Sequence, residues 1–272
     1  LIAARHLGVV RLLVENGADI NLADFEGDTP LMHAAGDGRL DIVRYLIEKG
    51  AAVGARSKDG WSALDYAARD GHVDVVQYLL GKGVDVNAHD PGVGTPLLIA
   101  VCSGHRDLAM MLVEKGADVN AGNAEGLTPL MSAAYKGEQD LVKRLLDAGA
   151  DVKSRADDGF TPLMYAVDAG HLATAKLLAE HGAAMGDLNK GQTILMIAAA
   201  RGQLDMVRWV LAQGEDADGK TAKGTTALMY AAASGNVDVL KALVEKGADV
   251  NAKAYAGATA LCLAAMFGEL TK

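Results

Sequence analysis

Apolar residues recur in this chain with helical spacing, in short segments that glycine separates. In residues 40–47 the apolar side chains return after three and four positions, which predicts an amphipathic helix. A second short helix is predicted wherever Thr or Ser opens the phrase Thr-Pro-Leu-Met-x-Ala-Ala or a close variant of it. The hydroxyl caps such a helix, proline fits its first position, and a glycine ends it. The pattern therefore predicts pairs of short helices along the whole chain.

These pairs return with a nearly constant period. The capping residues are 33 positions apart except for one step of 32, and they are Thr29, Ser62, Thr95, Thr128, Thr161, Thr193, Thr226 and Thr259. We predict one domain over residues 1–272, with partial repeats at 1–23 and 254–272. The complete repeats are predicted at 24–56, 57–89, 90–122, 123–155, 156–188, 189–220 and 221–253.

The phrase and the period together resemble the ankyrin repeat, and the resemblance covers essentially the whole chain. Methionine replaces the usual histidine of the family's Thr-Pro-Leu-His phrase, as in bacterial members. The resemblance implies an all-α solenoid of stacked helix-turn-helix units with β-turn or hairpin fingers. It also implies that first helices and finger tips line a concave groove, while second helices form the outer wall. A single repeat cannot bury its own apolar face, so stability is expected to come from stacking.

The repeat pattern is altered in two places and is cut at both ends. Residues 90–94 displace the glycine of one finger, and the 32-residue step before Thr193 shortens another. We expect the binding groove to be reshaped at both places. The first copy begins inside a first helix and the last stops before a second helix, so we expect either a segment of a longer chain or unusual capping repeats. With no signal peptide in view, a cytoplasmic location is the expectation.

Composition narrows the classes of function. The chain carries 26 Lys and Arg against 35 Asp and Glu, a formal net charge of −9. This balance argues against general binding of nucleic acid, which needs a basic surface. No apolar run is long enough for membrane insertion, and two cysteines exclude a disulfide framework.

No set of residues in the sequence predicts catalysis. Residues 214–221 match the phosphate-loop formula, but they follow an amphipathic helix and carry three carboxylates where phosphate would bind. Histidines 72, 105 and 171 share one slot after the first helix, which indicates a structural role. Cys102 is expected to be a small, half-buried residue. We therefore predict no enzyme activity, no cofactor and no metal site.

Aromatic residues indicate where a partner would bind. Nine of the twelve lie in slots that face partners in the ankyrin family: Phe25, Trp61, Tyr66, Tyr135, Phe160, Tyr165, Tyr230, Tyr255 and Phe267. Rings at these slots either anchor a partner or stack between first helices and stiffen the groove, and binding is favoured. The complete set of predicted binding residues is Phe25, Asp28, His33, Lys58, Trp61, Tyr66, Arg69, Asp70, Leu127, Tyr135, Lys136, Phe160, Tyr165, Tyr230 and Tyr255.

Two functions agree with these features. The favoured one is a monomeric, non-catalytic scaffold that binds a protein or peptide on its concave finger and first-helix surface. The alternative is a targeting or regulatory segment of a larger enzyme or secreted bacterial effector. The full-length reading frame distinguishes them, because a catalytic module outside this segment would be visible there.

Overall fold

The regular secondary structure of the described residues is helical, and turns connect the helices. The computed structural model describes residues 6–89, 92, 94–186 and 188–267, with the Phe267 side chain excepted. The first helices of the pairs are α2 (Pro30–Gly36), α4 (Ala63–Asp70), α6 (Pro96–Ser103), α8 (Pro129–Lys136), α10 (Pro162–Asp168), α12 (Ile194–Ala200), α14 (Ala227–Ser234) and α16 (Ala260–Phe267). The second helices are α1 (Leu7–Glu15), α3 (Leu40–Glu48), α5 (Val73–Gly81), α7 (Arg106–Glu114), α9 (Gln139–Asp147), α11 (Leu172–Glu180), α13 (Leu204–Ala212) and α15 (Val237–Glu245). The prediction of an all-α repeat fold is confirmed.

First helices begin at the predicted hydroxyl residues. The Thr29 hydroxyl accepts a hydrogen bond from the Met32 amide at 3.4 Å, and proline occupies the first helical position. Ser62 forms a capping box, since its own amide donates to the Asp65 carboxylate at 2.8 Å. Each cap satisfies an amide that has no partner inside the helix, so the helix starts at a defined residue.

Glycines end the helices as predicted. Gly71, the C-cap of α4, has a φ of 79°, and its amide donates to the Ala67 carbonyl. A side chain is strained in this left-handed region, and glycine is not. Every predicted helix-ending or finger glycine among the described residues has a positive φ. Gly268 lies outside the described residues.

The recurring histidines join neighbouring repeats. The Nε2 atom of His72 lies 2.9 Å from the Gly36 carbonyl, and that of His105 lies 2.8 Å from the Arg69 carbonyl. Both carbonyls end the first helix of the preceding repeat. Gln203 fills the same slot and donates to the Asp168 carbonyl at 3.2 Å. These side chains cap the first helix of the preceding repeat, which explains why a polar residue recurs at this position.

The chain forms two compact units, which are described separately. The first comprises residues 1–132 and 147–150, and the second comprises 133–146 and 151–272. Helices α2, α4 and α6 pack side by side in the first unit, as α10, α12, α14 and α16 do in the second. Alanines at the helix contacts, such as Ala34, Ala67 and Ala100, are completely buried and let the backbones approach closely.

Fingers also pair within each unit. The Lys58 amide donates to the Glu26 carbonyl at 3.0 Å, and the Tyr255 amide donates to the Lys223 carbonyl at 2.8 Å. We call the fingers and the exposed ends of the first helices of a unit its finger face. In the first unit this face is formed by residues 24–28, 33–37, 57–61, 66–70, 102–103 and 123–127. In the second it is formed by residues 135–136, 156–160, 165–169, 189–192, 221–225, 230–234 and 254–258.

The shortened finger has a different turn. Residues 189 and 192 exchange two backbone hydrogen bonds of 2.9 and 2.8 Å, with Lys190 at φ 49° and Gly191 at φ 82°. Two consecutive positive φ values are typical of a tight type I′ hairpin. In a full-length finger the amide of Asp24 instead reaches Asp28, one residue further. At the other altered finger, residues 90, 91 and 93 lie outside the described residues, and Gly94 has a φ of 94°.

Candidate functional site

Two aromatic side chains and an arginine form a cluster on the finger face of the first unit. The Trp61 and Tyr66 ring centroids are 5.5 Å apart, and the Arg69 guanidinium lies 5.5 Å from the first ring and 4.9 Å from the second. These distances are typical of cation–π contacts. Arg69 is also held by Asp70 through two hydrogen bonds of 3.1 and 2.8 Å. We call Trp61, Tyr66 and Arg69 the first ring cluster.

Neighbouring carboxylates affect the pKa values of Tyr66 and Arg69 in this cluster. The Tyr66 hydroxyl donates to the two Asp28 carboxylate oxygens at 2.8 and 3.0 Å. Burial and then Asp28 raise the pKa of Tyr66 to about 12. The hydrogen bonds from Arg69 to Asp70 raise the pKa of Arg69. The surroundings of both groups thus favour their protonated forms.

A second cluster lies on the finger face of the second unit. The Phe160 and Tyr165 ring centroids are 5.1 Å apart, and Tyr135 meets Tyr165 edge to face at 6.3 Å. The Tyr165 hydroxyl donates to the Asp158 carboxylate at 2.9 Å. Tyr135 is 53% exposed, so one of its ring surfaces is open to a partner. We call Tyr135, Phe160 and Tyr165 the second ring cluster.

The other predicted binding residues are spread over the finger faces. Phe25 is 96% exposed and Tyr255 is 81% exposed, both in fingers. The Tyr230 hydroxyl accepts a hydrogen bond of 2.6 Å from the Gln192 side chain. Leu127 is half-buried, while the side chains of Lys58 and Lys136 are exposed. The side chain of Phe267 lies outside the described residues.

A polar cluster at the first finger includes a residue that sequence reasoning missed. Asp24, Asp28 and His33 place one ligand atom each within 4.8 Å of one another. His33 Nε2 lies 3.0 Å from the Asp24 carboxylate, whose other oxygen accepts the amides of Glu26 and Asp28. Desolvation raises the pKa of the Asp24 carboxyl, but the hydrogen bonds outweigh this effect, so the pKa lies below its ordinary value. Hydrogen bonds within the chain thus join Asp24 to His33 and to its own finger.

Comparison with known protein families identifies the repeat. A family model described as ankyrin repeats, three copies, matches residues 1–90, 89–156, 133–221 and 195–272. Together these matches extend over the chain from residue 1 to residue 272. The chain belongs to the ankyrin repeat family. Ankyrin repeats are generally protein–protein interaction modules and are typically non-catalytic. A search of curated proteins found no match.

An ion pair between two ankyrin repeats was also missed from the sequence. The Arg201 guanidinium donates to the two Asp168 oxygens at 2.8 and 3.0 Å, and this contact raises the pKa of Arg201. The two residues end consecutive first helices, 33 positions apart. Comparison of residues that share a repeat position would have indicated the pair.

The rejected phosphate-loop match lies at a junction between ankyrin repeats. Residues 214–221 connect α13 to the finger at 221–225, and the Asp218 carboxylate accepts the Asp249 amide at 2.7 Å. Burial and then the charge of Asp216 raise the pKa of Glu215. The Asp218 carboxylate thus joins this junction to the next repeat.

Two further observations concern the surface of this ankyrin repeat chain. Cys102 is exposed, which corrects the expectation of a half-buried residue, because it lies in the last turn of α6 beyond the buried Val101. Its Sγ atom lies 3.4 Å from the Ser132 hydroxyl. Among the helices of the described residues, none has both the length and the apolar character that a bilayer crossing requires.

Proposed function

We propose that this ankyrin repeat chain is a non-catalytic scaffold that binds a protein or peptide through its finger faces. The distribution of exposed rings carries the proposal. Among the described aromatic side chains, the exposed ones are Phe25, Tyr135 and Tyr255, and all three belong to finger faces. Rings of the second helices are buried or half-buried: Tyr45, Tyr78 and Trp209. Exposed aromatic surface concentrated on one face is typical of binding sites, where single rings contribute about 2 kcal/mol or more.

A constant backbone with variable side chains supports the same proposal. In six of the described fingers, an amide donates to the carbonyl four residues later; examples are Ser57 to Trp61 at 2.9 Å, Ala156 to Phe160 at 3.0 Å and Thr221 to Thr225 at 3.0 Å. The residue whose carbonyl accepts this bond has the same place in each finger, but its side chain is an indole in Trp61, a phenyl ring in Phe160 and a hydroxyl in Thr225. Such variation on a fixed frame lets neighbouring repeats select different parts of one partner.

Quantitative affinity capture tests the proposal. The immobilised chain, the double variant Trp61→Ala/Phe160→Ala and the double variant Tyr78→Ala/Trp209→Ala are incubated with the same extract. We expect the finger-face variant to retain at most about a tenth of the partner, the loss of about 1.4 kcal/mol or more that ring anchors explain. The second-helix variant, which also lacks two rings, should retain the partner.

Helicity and melting temperature are measured for every variant. Equal capture by the two double variants would contradict the proposal. Unfolding of the finger-face variant would mean that its rings are core. Tyr135→Ala keeps the test informative in that case, because a ring that is 53% exposed contributes little to folding.

A further inference from the structure

The two ring clusters occupy the same positions of the repeat. Phe160 lies 99 residues after Trp61, and Tyr165 lies 99 residues after Tyr66, which is three repeat lengths. Their geometry is also alike, with centroid distances of 5.5 and 5.1 Å and interplanar angles of 38° and 48°. In each cluster the tyrosine hydroxyl donates to a carboxylate, which belongs to Asp28 in one and to Asp158 in the other. The clusters are thus two versions of one site.

The first version already holds a cation. Arg69 lies one helical turn after Tyr66, and its guanidinium covers both rings at 4.9 and 5.5 Å. This position of the repeat can therefore bind a guanidinium. The faces of the two aromatic rings carry partial negative charge, and the Asp70 carboxylate accepts two hydrogen bonds.

The second version has an ion pair between two repeats at that position. Asp168 takes the place of Arg69, 99 residues later, and binds Arg201. Tyr135 adds a third, 53% exposed ring at the position where the first cluster has Gly36. The second ring cluster thus has more aromatic surface, an Asp168–Arg201 ion pair in place of Arg69, and Asp158 at its edge.

We propose that the second ring cluster binds an arginine side chain of the protein partner. This inference rests on the proposed function and gives the chemistry of one contact. The guanidinium stacks on Phe160 and Tyr165, as Arg69 stacks on Trp61 and Tyr66, and the exposed Tyr135 ring lies beside them. The Asp158 carboxylate neutralises the charge of the guanidinium. A net charge of −9 favours the approach of a basic segment.

Nuclear magnetic resonance of the aromatic side chains tests the inference without a partner. The chain is titrated with N-acetyl-arginine amide and, separately, with N-acetyl-citrulline amide, a neutral molecule of nearly the same shape. We expect saturable shifts of the Tyr135 and Phe160 ring signals with the arginine compound and affinity at least about fivefold lower for citrulline, the range of an exposed cation–π contact. Equal affinity for the two compounds would overturn the inference.

Three variants locate the site. Tyr135→Ala should weaken binding of the arginine compound at least about fivefold, and Asp168→Arg should block it by placing the chain's own guanidinium over the rings. Arg69→Asp removes the chain's own guanidinium from the first cluster, so the Trp61 signals should begin to respond. Binding unchanged by Tyr135→Ala and Asp168→Arg would contradict the inference.

The result of the arginine titration can be distinguished from the result of the capture experiment that tests the proposed function. Ring-dependent capture of a partner together with failure of the arginine titration would overturn the arginine contact alone. Capture that does not depend on the finger-face rings would overturn the proposed function.

Discussion

At the residue scale, tyrosine hydroxyls fix the rings of the finger faces to neighbouring fingers. The Tyr66 hydroxyl donates to Asp28 of the preceding repeat, and the Tyr230 hydroxyl accepts from Gln192 across the same separation of 38 residues. The Tyr165 hydroxyl instead donates to Asp158 in its own finger. In each case a polar side chain of a finger holds the tyrosine ring in place.

Asp28→Asn should lower the pKa of Tyr66 from about 12 toward its ordinary value of 10.0, because the variant removes the carboxylate charge that favours the neutral phenol. The decrease should be partial, since burial remains. Titration of the tyrosine Cζ signals by nuclear magnetic resonance measures it. Asp59→Asn, in the adjacent finger, is the matched control and should leave the value unchanged. An unaltered pKa in Asp28→Asn would contradict this assignment.

The shifted pKa also fixes the sign of a pH effect on stability. The folded-state pKa of Tyr66 lies above its unfolded value, so the folded chain retains this proton at higher pH. Its stabilising contribution is complete below about pH 10 and is lost as the pH rises through about 12.

At the element scale, one slot joins the first helix of each repeat to the next repeat. His72, His105 and Gln203 all contact the carbonyl that ends the preceding first helix. The His72 ring also packs closely against Gly38, where an added Cβ atom would lie only 2.5 Å from the ring. Glycine and histidine therefore fit together across the junction.

His72→Gln should preserve stability, because Gln203 makes the equivalent hydrogen bond in this chain. His72→Ala should lower the free energy of unfolding by about 1 kcal/mol or more, since the helix-ending carbonyl loses its partner. Urea denaturation followed by circular dichroism measures both. Equal destabilisation by the two substitutions would mean that the ring's packing, and not its hydrogen bond, holds the junction.

Local features were predictable from the sequence, and contacts between repeats were not. Thr29 and Gly71 act within their own helices, so spacing alone predicts their roles. The ion pair of Arg201 with Asp168 depends on which side chains meet across a junction. The short finger could be placed at residues 189–192, but its hairpin geometry depends on the unusual φ of Lys190.

At the scale of the whole molecule, each unit combines a stacked helical core with a finger face whose side chains differ from repeat to repeat. The cores are built from small and aliphatic residues, while aromatic side chains concentrate on the finger faces. Stacking needs only neighbour contacts, so finger residues are free to vary without loss of the fold. This division of roles is the basis of the proposed scaffold function.

Hydroxyl-radical footprinting of the chain, free and with its captured partner, tests the central claim most directly, because aromatic side chains react readily when exposed. The account predicts that oxidation of Trp61, Tyr135 and Phe160 falls when the partner is bound, while that of Tyr78 and Trp209 is unchanged. Protection of the second-helix rings alone, with the finger-face rings as reactive as in the free chain, would contradict it.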